Sequence, residues 1–367
     1  MNPTVLQISA AIEEVAPLIL QESYDNSGLL VGDPQMEVHS ALLTLDVTEA
    51  VVEEAIAKNC NLIIAHHPLI FGGLKRLTGQ TDVQRSVIKA IKNDIAIYAC
   101  HTNLDNVLKQ GVNAKIAEKL GLKVQGVLSP KSSLLYKLQV YVPVDHAEKL
   151  KEALFAAGAG EIGNYDECAF EIAGTGSFRP LEGANPFEGR QGQRHQAEEL
   201  CVEVLVQNWK KSAVHKAMFQ AHPYEEVAYN WIPLQNVSDQ YGSGVLATLP
   251  AAMKTDAFLL ELKKRMDLKV VKFTHCKTDL IEKIAICGGS GSFLIGAAKA
   301  AGAQAYITAD VKYHEFFEAE NELLICDIGH YESEKYTVEL FSEILSLKFP
   351  NFANIFAQTS TNPIDYI

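Results

Sequence analysis

The stretch Leu62-Ile63-Ile64-Ala65-His66-His67-Pro68 decides how this chain folds. A short, wholly apolar run predicts a buried parallel strand, and open α/β sheets place their chemistry at the carboxyl ends of such strands. Because neighbouring side chains of a strand point to opposite sides, His66 and His67 are poorly placed to hold one ion together. They are well placed to serve one ion each, which suggests two metals. The competing interpretation is a strand-end cap, hydrogen-bonded to nearby carbonyls.

Length and composition limit the class of protein. With 367 residues, the chain has room for two or three hydrophobic cores. Its hydrophobic content of 48% and charged content of 21% are ordinary for a globular protein. A formal net charge of -13 argues against general binding to nucleic acid or anionic membranes, although a local basic pocket could still bind a phosphorylated small molecule.

The N-terminus and the cysteines predict a cytoplasmic protein. The first 20 residues carry acidic side chains within an apolar periodicity, which is typical of a helix and not of a signal peptide. No run of about 18 apolar residues predicts a membrane span. The seven cysteines are scattered without a Cys-x-x-Cys pair. We therefore expect buried thiols in a reducing compartment and no zinc–thiolate site.

The order of predicted elements indicates an α/β domain with mixed or parallel sheets, interrupted by a smaller domain. Strand 41–46, helix 49–58 with Thr48 as its cap, and the strand before His66 form a strand–helix–strand unit. Another apolar strand ends at Cys100, and a helix over 111–120 follows. Strand and helix alternate again after Gly244. Two separate tandem α/β domains are the alternative architecture.

The middle of the chain has a different pattern. Residues 130–235 predict the order β-α-β-β-α-β, a ferredoxin-like α+β arrangement. The polar segment 178–195 between its halves predicts an exposed and mobile loop. We therefore expect a discontinuous metal-binding domain of residues 1–128 and 236–367, with an inserted domain of residues 129–235.

Three predicted strand ends offer metal ligands. They are His66 with His67, Asp105, and the pair His330 and Glu334, which lie four residues apart where a helix begins. Histidines and carboxylates without sulfur suit zinc, manganese or iron, and a carboxylate can bridge two ions. Asp105 and Glu334 are the candidate bridges. Taken singly, Asp105 could cap a helix, and His330 with Glu334 could be a solvent-facing pair.

Several motifs make the chain resemble a known family. The strings are Tyr24-Asp25-Asn26-Ser27-Gly28-Leu29, Ala65-His66-His67-Pro68-Leu69, His101-Thr102-Asn103-Leu104-Asp105 and Gly329-His330-Tyr331-x-Ser333-Glu334. Together they resemble the NIF-three-like family, whose bacterial members are often labelled homologues of the type two GTP cyclohydrolase. The middle segment, with His222-Pro223-Tyr224-Glu225-Glu226, looks like the PII-like or CutA-like domain that longer members carry.

The resemblance implies more than the residue pattern does. It implies a dinuclear metal site built from five residues, namely His66, His67, Asp105, His330 and Glu334. It also implies a ring-like homohexamer with the sites facing an internal cavity. We expect two divalent ions per chain, with zinc first and manganese or iron as alternatives.

The sequence leaves the roles of other residues open. His101 could complete a coordination shell, orient Asp105 or donate a proton. Asp25 and Asp46 could contact the ligands or serve as a turn and a cap.

Three further features have two interpretations each. The run 288–291 could bind a phosphate through backbone amides, although a tight turn is favoured. The segment 312–314 could add a cationic wall or form a helix face. Glu225 and Glu226 could form an interface or effector motif, or a plain strand edge.

The leading functional hypothesis is a metal-dependent hydrolase of a nucleotide-like or other small molecule, in which His101 or Glu334 moves protons. If the family label is literal, the electrophile is the purine ring of GTP. The main rival is a non-enzymatic metal-binding regulatory protein with an effector-binding insert. A purely structural cage would leave the inward-facing ligands unexplained.

Overall fold

The computed structural model describes residues 2–367. The chain divides into two compact units. The first unit comprises Met1–Pro130 and Asp239–Ile367, and the second, called the insert below, comprises Lys131–Ser238.

The bounds of the elements are as follows. The helices are α1 (Val5–Val15), α2 (Glu49–Ala57), α3 (Asp82–Lys92), α4 (Thr102–Asp105), α5 (Val112–Leu120), α6 (Ala147–Ala156), α7 (Lys211–Ala221), α8 (Thr255–Arg265), α9 (Ile295–Ala300), α10 (His330–Glu334) and α11 (Thr337–Lys348). The strands are β1 (Gly28–Val31), β2 (Ser40–Thr44), β3 (Leu62–Ala65), β4 (Ala96–Ala99), β5 (Lys123–Pro130), β6 (Leu135–Pro143), β7 (Ala169–Phe178), β8 (His195–Gln207), β9 (Tyr229–Pro233), β10 (Gly242–Lys254), β11 (Lys272–Phe273), β12 (Leu280–Ser290), β13 (Ala305–Ala309), β14 (Leu324–Asp327) and β15 (Ala353–Phe356).

The first sheet of the first unit has the order β1-β4-β3-β2-β15. Strands β15, β2, β3 and β4 run parallel, and β1 is antiparallel to β4. The predicted strand before His66 is confirmed, because every residue of β3 is buried. Helix α2 follows β2 with the predicted cap, since the Thr48 hydroxyl accepts from the Val51 amide at 3.3 Å. The carboxyl ends of β3 and β4 therefore meet at one edge of this sheet.

The second sheet has the order β11-β14-β13-β12-β10-β5. Its central strands β12, β13 and β14 are parallel, while β10 is antiparallel to both β12 and β5. Helix α10 starts three residues after β14 ends. The first unit is therefore an α/β fold with mixed and parallel sheets, as the order of elements predicted.

Each sheet of the first unit takes a strand from the other end of the sequence. Strand β15, near the C-terminus, pairs with β2, and β5, which precedes the insert, pairs with β10. The alternative of two tandem α/β domains is therefore wrong, since neither segment completes its own sheet. The sequence interpretation missed both strands.

The alternation of strand and helix after Gly244 includes two short elements. Strand β11 has only two residues, and Glu315–Ala319 is a 3₁₀ segment. The last helical region starts at His330 as the short α10, and α11 follows it.

The insert contains the predicted order of strands and helices, β6-α6-β7-β8-α7-β9. Its sheet is antiparallel, with the order β7-β8-β6-β9. The apolar faces of α6 and α7 pack on a core that includes Leu138, Val202 and Met218. Most residues between β7 and β8 are exposed, as expected.

Two findings concern membrane-spanning helices and cysteines. Across residues 2–367, no helix combines the length and hydropathy needed to cross a bilayer. The seven cysteines are free thiols, and four of them are buried, namely Cys60, Cys100, Cys287 and Cys326.

Candidate metal centre

The first unit brings the predicted ligands together. His66 and His67 directly follow β3, Asp105 ends the short helix α4 after β4, and His330 and Glu334 are the first and last residues of α10. The His66 and His67 rings lie 4.9 Å apart between centroids. Three distant segments of the sequence therefore meet at one point.

Glu334 lies at the centre of this cluster and is 2% exposed. Its Oε2 is 2.9 Å from His67 Nε2 and 3.1 Å from His330 Nε2. Its Oε1 is 3.8 Å from His66 Nε2, which in turn is 3.6 Å from Asp105 Oδ1. The ligand atoms thus form two groups around Glu334, one of His66, Asp105 and Glu334 and the other of His67, His330 and Glu334. A further group of His66, His67 and His101 could also hold an ion.

One of these groups contains polar atoms that the protein leaves unsatisfied. Among the described residues, His66 Nε2 and Asp105 Oδ1 are buried and have no hydrogen-bond partner. Burying a polar atom without a hydrogen-bond partner costs about 1–3 kcal/mol, so unpaired buried polar atoms are rare in proteins. A nitrogen and a carboxylate oxygen that face each other unpaired fit a divalent cation between them. The donor set of this group therefore fits a metal ion.

Each histidine of the two groups is oriented by a bond from its other ring nitrogen. His66 Nδ1 donates to the Cys100 carbonyl at 2.9 Å. His67 Nδ1 donates to Asp46 at 2.7 Å, and His330 Nδ1 donates to Asp310 at 2.6 Å. These acceptors fix the tautomer and leave Nε2 free for a metal, the usual arrangement around metal-binding histidines.

His101 is held in the same way beside the two groups. Its Nδ1 donates to Asp25 Oδ1 at 2.8 Å, and Asp25 Oδ2 accepts from the amide and the hydroxyl of Thr102. The His101 ring lies 5.2 Å from those of His66 and His67, measured between centroids. Burial raises the pKa of Asp25, but the bonds from His101 and Thr102 outweigh it and hold the pKa below its usual range. Asp25 therefore stays ionised and fixes the tautomer of His101.

Burial and neighbouring charges determine which histidines of the cluster are protonated. Burial lowers the pKa of His66 to about 4. Burial would also lower the pKa of His67, but Asp46 and Glu334 raise it to about 10. The pKa of His330 rises to about 9, because Glu334 and Asp310 outweigh burial. Without a cation, His67 and His330 therefore carry protons at neutral pH.

The two carboxylates of the cluster shift in opposite directions. Burial and the nearby Glu334 charge raise the pKa of Asp105 well above its ordinary value. Burial also raises the pKa of Glu334, but the bonds to His330 and His67 and the nearby His66 ring outweigh it and hold the pKa well below its ordinary value. Glu334 is therefore the permanent anion of the site.

The glycine run 288–291 supports the site and does not form a phosphate loop. The Gly288 amide donates to Asn113 Oδ1 at 2.8 Å, and the Gly289 amide donates to Ser333 Oγ at 2.9 Å. Gly289 has a φ of +63°, and a Cβ there would lie 2.3 Å from Glu334 Oε1. The favoured interpretation as a tight turn is wrong, because residues 288–290 belong to the end of β12, where the pairing with β13 shifts register between Ile286 and Ser290. This irregular strand end makes room for the central carboxylate.

Sequence reasoning left some of these contacts open and missed one. Asp25 and Asp46 do contact the candidate site through His101 and His67. Asp310 was missed, although it directly follows the apolar strand β13, which lies beside β14, the strand before His330. The segment 312–314 is absent from the lining of the cavity at the site, so it forms no cationic wall there.

A cavity of about 530 Å³ opens onto the cluster. His67, His101, Asp105, His330 and Glu334 all contribute to its walls. The candidate ligands are therefore accessible to a small molecule.

Comparison with known proteins places this geometry in a family. The model of Duf34/NIF3 (NGG1p interacting factor 3) matches residues 3–363. The chain belongs to the DUF34/NIF3 family. A relative from Halalkalibacterium halodurans is 42% identical over 89% of this chain and 87% of its own length. A relative from Bacillus subtilis is 39% identical over 98% of both chains. Both are named "GTP cyclohydrolase 1 type 2 homolog".

Solved structures agree with the family assignment. A Bacillus cereus protein related to NIF3 superposes with a TM-score of 0.86 at 39% identity, and the match covers 100% of both chains. The resemblance inferred from the spaced motifs is therefore confirmed along the whole chain.

Proposed function

We propose that the chain binds two divalent metal ions and uses them to hydrolyse a small, nucleotide-like molecule. The observation that carries this proposal is the position of Glu334, whose two carboxylate oxygens belong to different ligand groups. A carboxylate that faces two groups of imidazole and carboxylate ligands is the expected bridge of a dinuclear site.

The proposed ligands divide between the two ions. His66 and Asp105 would hold one ion, His67 and His330 would hold the other, and Glu334 would bridge them. The ligand atoms are imidazole nitrogens and carboxylate oxygens, which suit zinc best and accommodate manganese or iron. When bound, the ions would act as Lewis acids and lower the pKa of a water toward neutrality.

The remaining chemistry falls to side chains of the chain. We assign proton transfer first to His101, because Asp25 fixes its tautomer and its ring faces both His66 and His67. Glu334 is the second candidate, although its low pKa makes it a weak proton acceptor. The names of the relatives suggest GTP as a first substrate to test.

The other expectations from the sequence stay part of this proposal. They are a cytoplasmic location, a homohexameric ring, no bulk nucleic-acid binding, and a PII-like or CutA-like insert of residues 129–235. They rest on the motif resemblance and the composition.

A second candidate function is a non-enzymatic metal-binding regulator with an effector site in the insert. A cavity of about 590 Å³ within the insert favours it. Phe178, Phe187 and Tyr224 line this cavity together with Glu225 and Glu226. Such a pocket could accommodate a small effector without any reaction at the metal centre.

Replacing His101 with glutamine tests the hydrolase. We expect the variant to keep two ions per chain and to lose about 100-fold or more in turnover, the typical contribution of a general acid or base. Metal content would be measured by mass spectrometry, and turnover by phosphate or formate release from a nucleotide panel. His314→Gln is the control, since His314 is exposed and outside the cavity. Bound metal without turnover of any nucleotide by the unmodified chain would favour the regulator instead.

A further inference from the structure

The mouth of the metal-site cavity carries three exposed aromatic side chains. Tyr24 is 67% exposed, Phe71 52% and Phe293 69%, and all three line the cavity. The Phe71 ring stands edge-on to His101, with 5.6 Å between the ring centroids. Single exposed aromatics are common on protein surfaces, but three around one cavity form an apolar rim that a planar ligand would cover.

The same cavity offers little to an anionic ligand. No lysine or arginine is found in its lining within the part of the chain that the structure describes. Sites for polyphosphates normally supply such cations or free backbone amides. Here the amides of Gly288 and Gly289 already donate to Asn113 and Ser333.

The groups around the cavity are predominantly acidic. Carboxyl groups that line the cavity or bond to its histidines are Glu22, Asp25, Asp46, Asp105, Asp310 and Glu334. A triphosphate that enters the cavity would therefore meet several carboxyl groups and no basic side chain from the cavity walls.

We propose that this cavity takes a planar ring system the size of a purine that carries at most one negative charge, and that Tyr24, Phe71 and Phe293 hold the ring. This inference rests on the proposed function and narrows its substrate class, since it disfavours a nucleoside triphosphate. The cavity volume of about 530 Å³ lies within the usual range for small-molecule sites.

Guanosine and GTP form a matched pair for the test, because they share one ring and differ in charge. Calorimetric titration of the full-length, metal-loaded chain is expected to show guanosine binding about tenfold or more tightly than GTP. Phe71→Leu and Phe293→Leu are each expected to weaken guanosine binding by about fivefold or more, the lower end of base–aromatic stacking. Metal content is measured after each titration, because GTP can chelate the ions.

Phe317→Leu is the control, since Phe317 is 65% exposed in the same unit and does not line this cavity. It is expected to leave guanosine binding unchanged. GTP binding as tight as that of guanosine, guanosine binding that survives both ring replacements, or no guanosine binding would each overturn the inference. The comparison needs no turnover, so a chain that binds guanosine but hydrolyses nothing would contradict the proposed hydrolase alone.

Discussion

Replacing Glu334 with glutamine is expected to abolish binding of both metal ions at once. The substitution keeps the shape of the side chain but removes the charge that both ligand groups share. In the metal-free chain, it also leaves the His67 and His330 cations without their buried partner. We therefore expect the free energy of unfolding to fall by about 1–3 kcal/mol, the usual effect of losing hydrogen bonds to a charged group, since His67 and His330 keep their bonds to Asp46 and Asp310. Metal content by mass spectrometry and denaturant unfolding measure the two effects.

Three further variants are compared with Glu334→Gln. His66→Ala and His330→Ala are each expected to remove one ion and leave the other, because each residue belongs to only one of the two groups that share Glu334. Glu332→Gln is the matched control, since Glu332 lies on the same helix, is 8% exposed and accepts from Asn362. A Glu334→Gln chain that still binds one ion per chain would contradict the shared role of this carboxylate.

Metal affinity is expected to rise steeply with pH. The pKa of His67 is raised to about 10 and that of His330 to about 9, so both rings carry protons at pH 7 that a metal must displace. Affinity should rise by on the order of tenfold per pH unit for each proton released, until pH passes the two pKa values. Calorimetry in buffers of different ionisation enthalpy counts the released protons.

The same raised pKa values make the metal-free chain less stable as pH rises. A raised histidine pKa stabilises the fold fully below the ordinary value of 6.5, and this contribution is lost as pH rises through about 9 to 10. Asp310→Asn, which removes the charge beside His330 Nδ1, should shift the dependence to lower pH. Metal affinity that is constant between pH 6 and 9 would contradict the release of protons from His67 and His330 on metal binding.

The sequence predicted the parts of the site that local patterns determine. The apolar run of β3 places His66 and His67 at a sheet edge, and the spacing of His330 and Glu334 predicts one face of a short helix. Both patterns depend only on neighbouring residues. The approach of Asp105 to His66 and His67 followed from the rule that neighbouring parallel strands end at the same edge, whereas His330 and Glu334 follow β14 of the second sheet and lie outside that rule.

Contacts between distant segments could not be predicted in this way. Strand β15 has only four residues, and β5 lacks a clear alternation of buried and exposed positions, so neither gives a strong periodic signal. Asp310 adopts a φ of +55°, and its bond to His330 depends on the packing of β13 beside β14. The role of Gly289 likewise depends on Glu334, which is distant in the sequence.

Anomalous diffraction from crystals of the zinc-loaded chain tests the dinuclear site most directly. The account predicts two peaks per chain on either side of Glu334, one beside His66 and Asp105 and the other beside His67 and His330. A single peak, or two peaks that do not share Glu334, would contradict it.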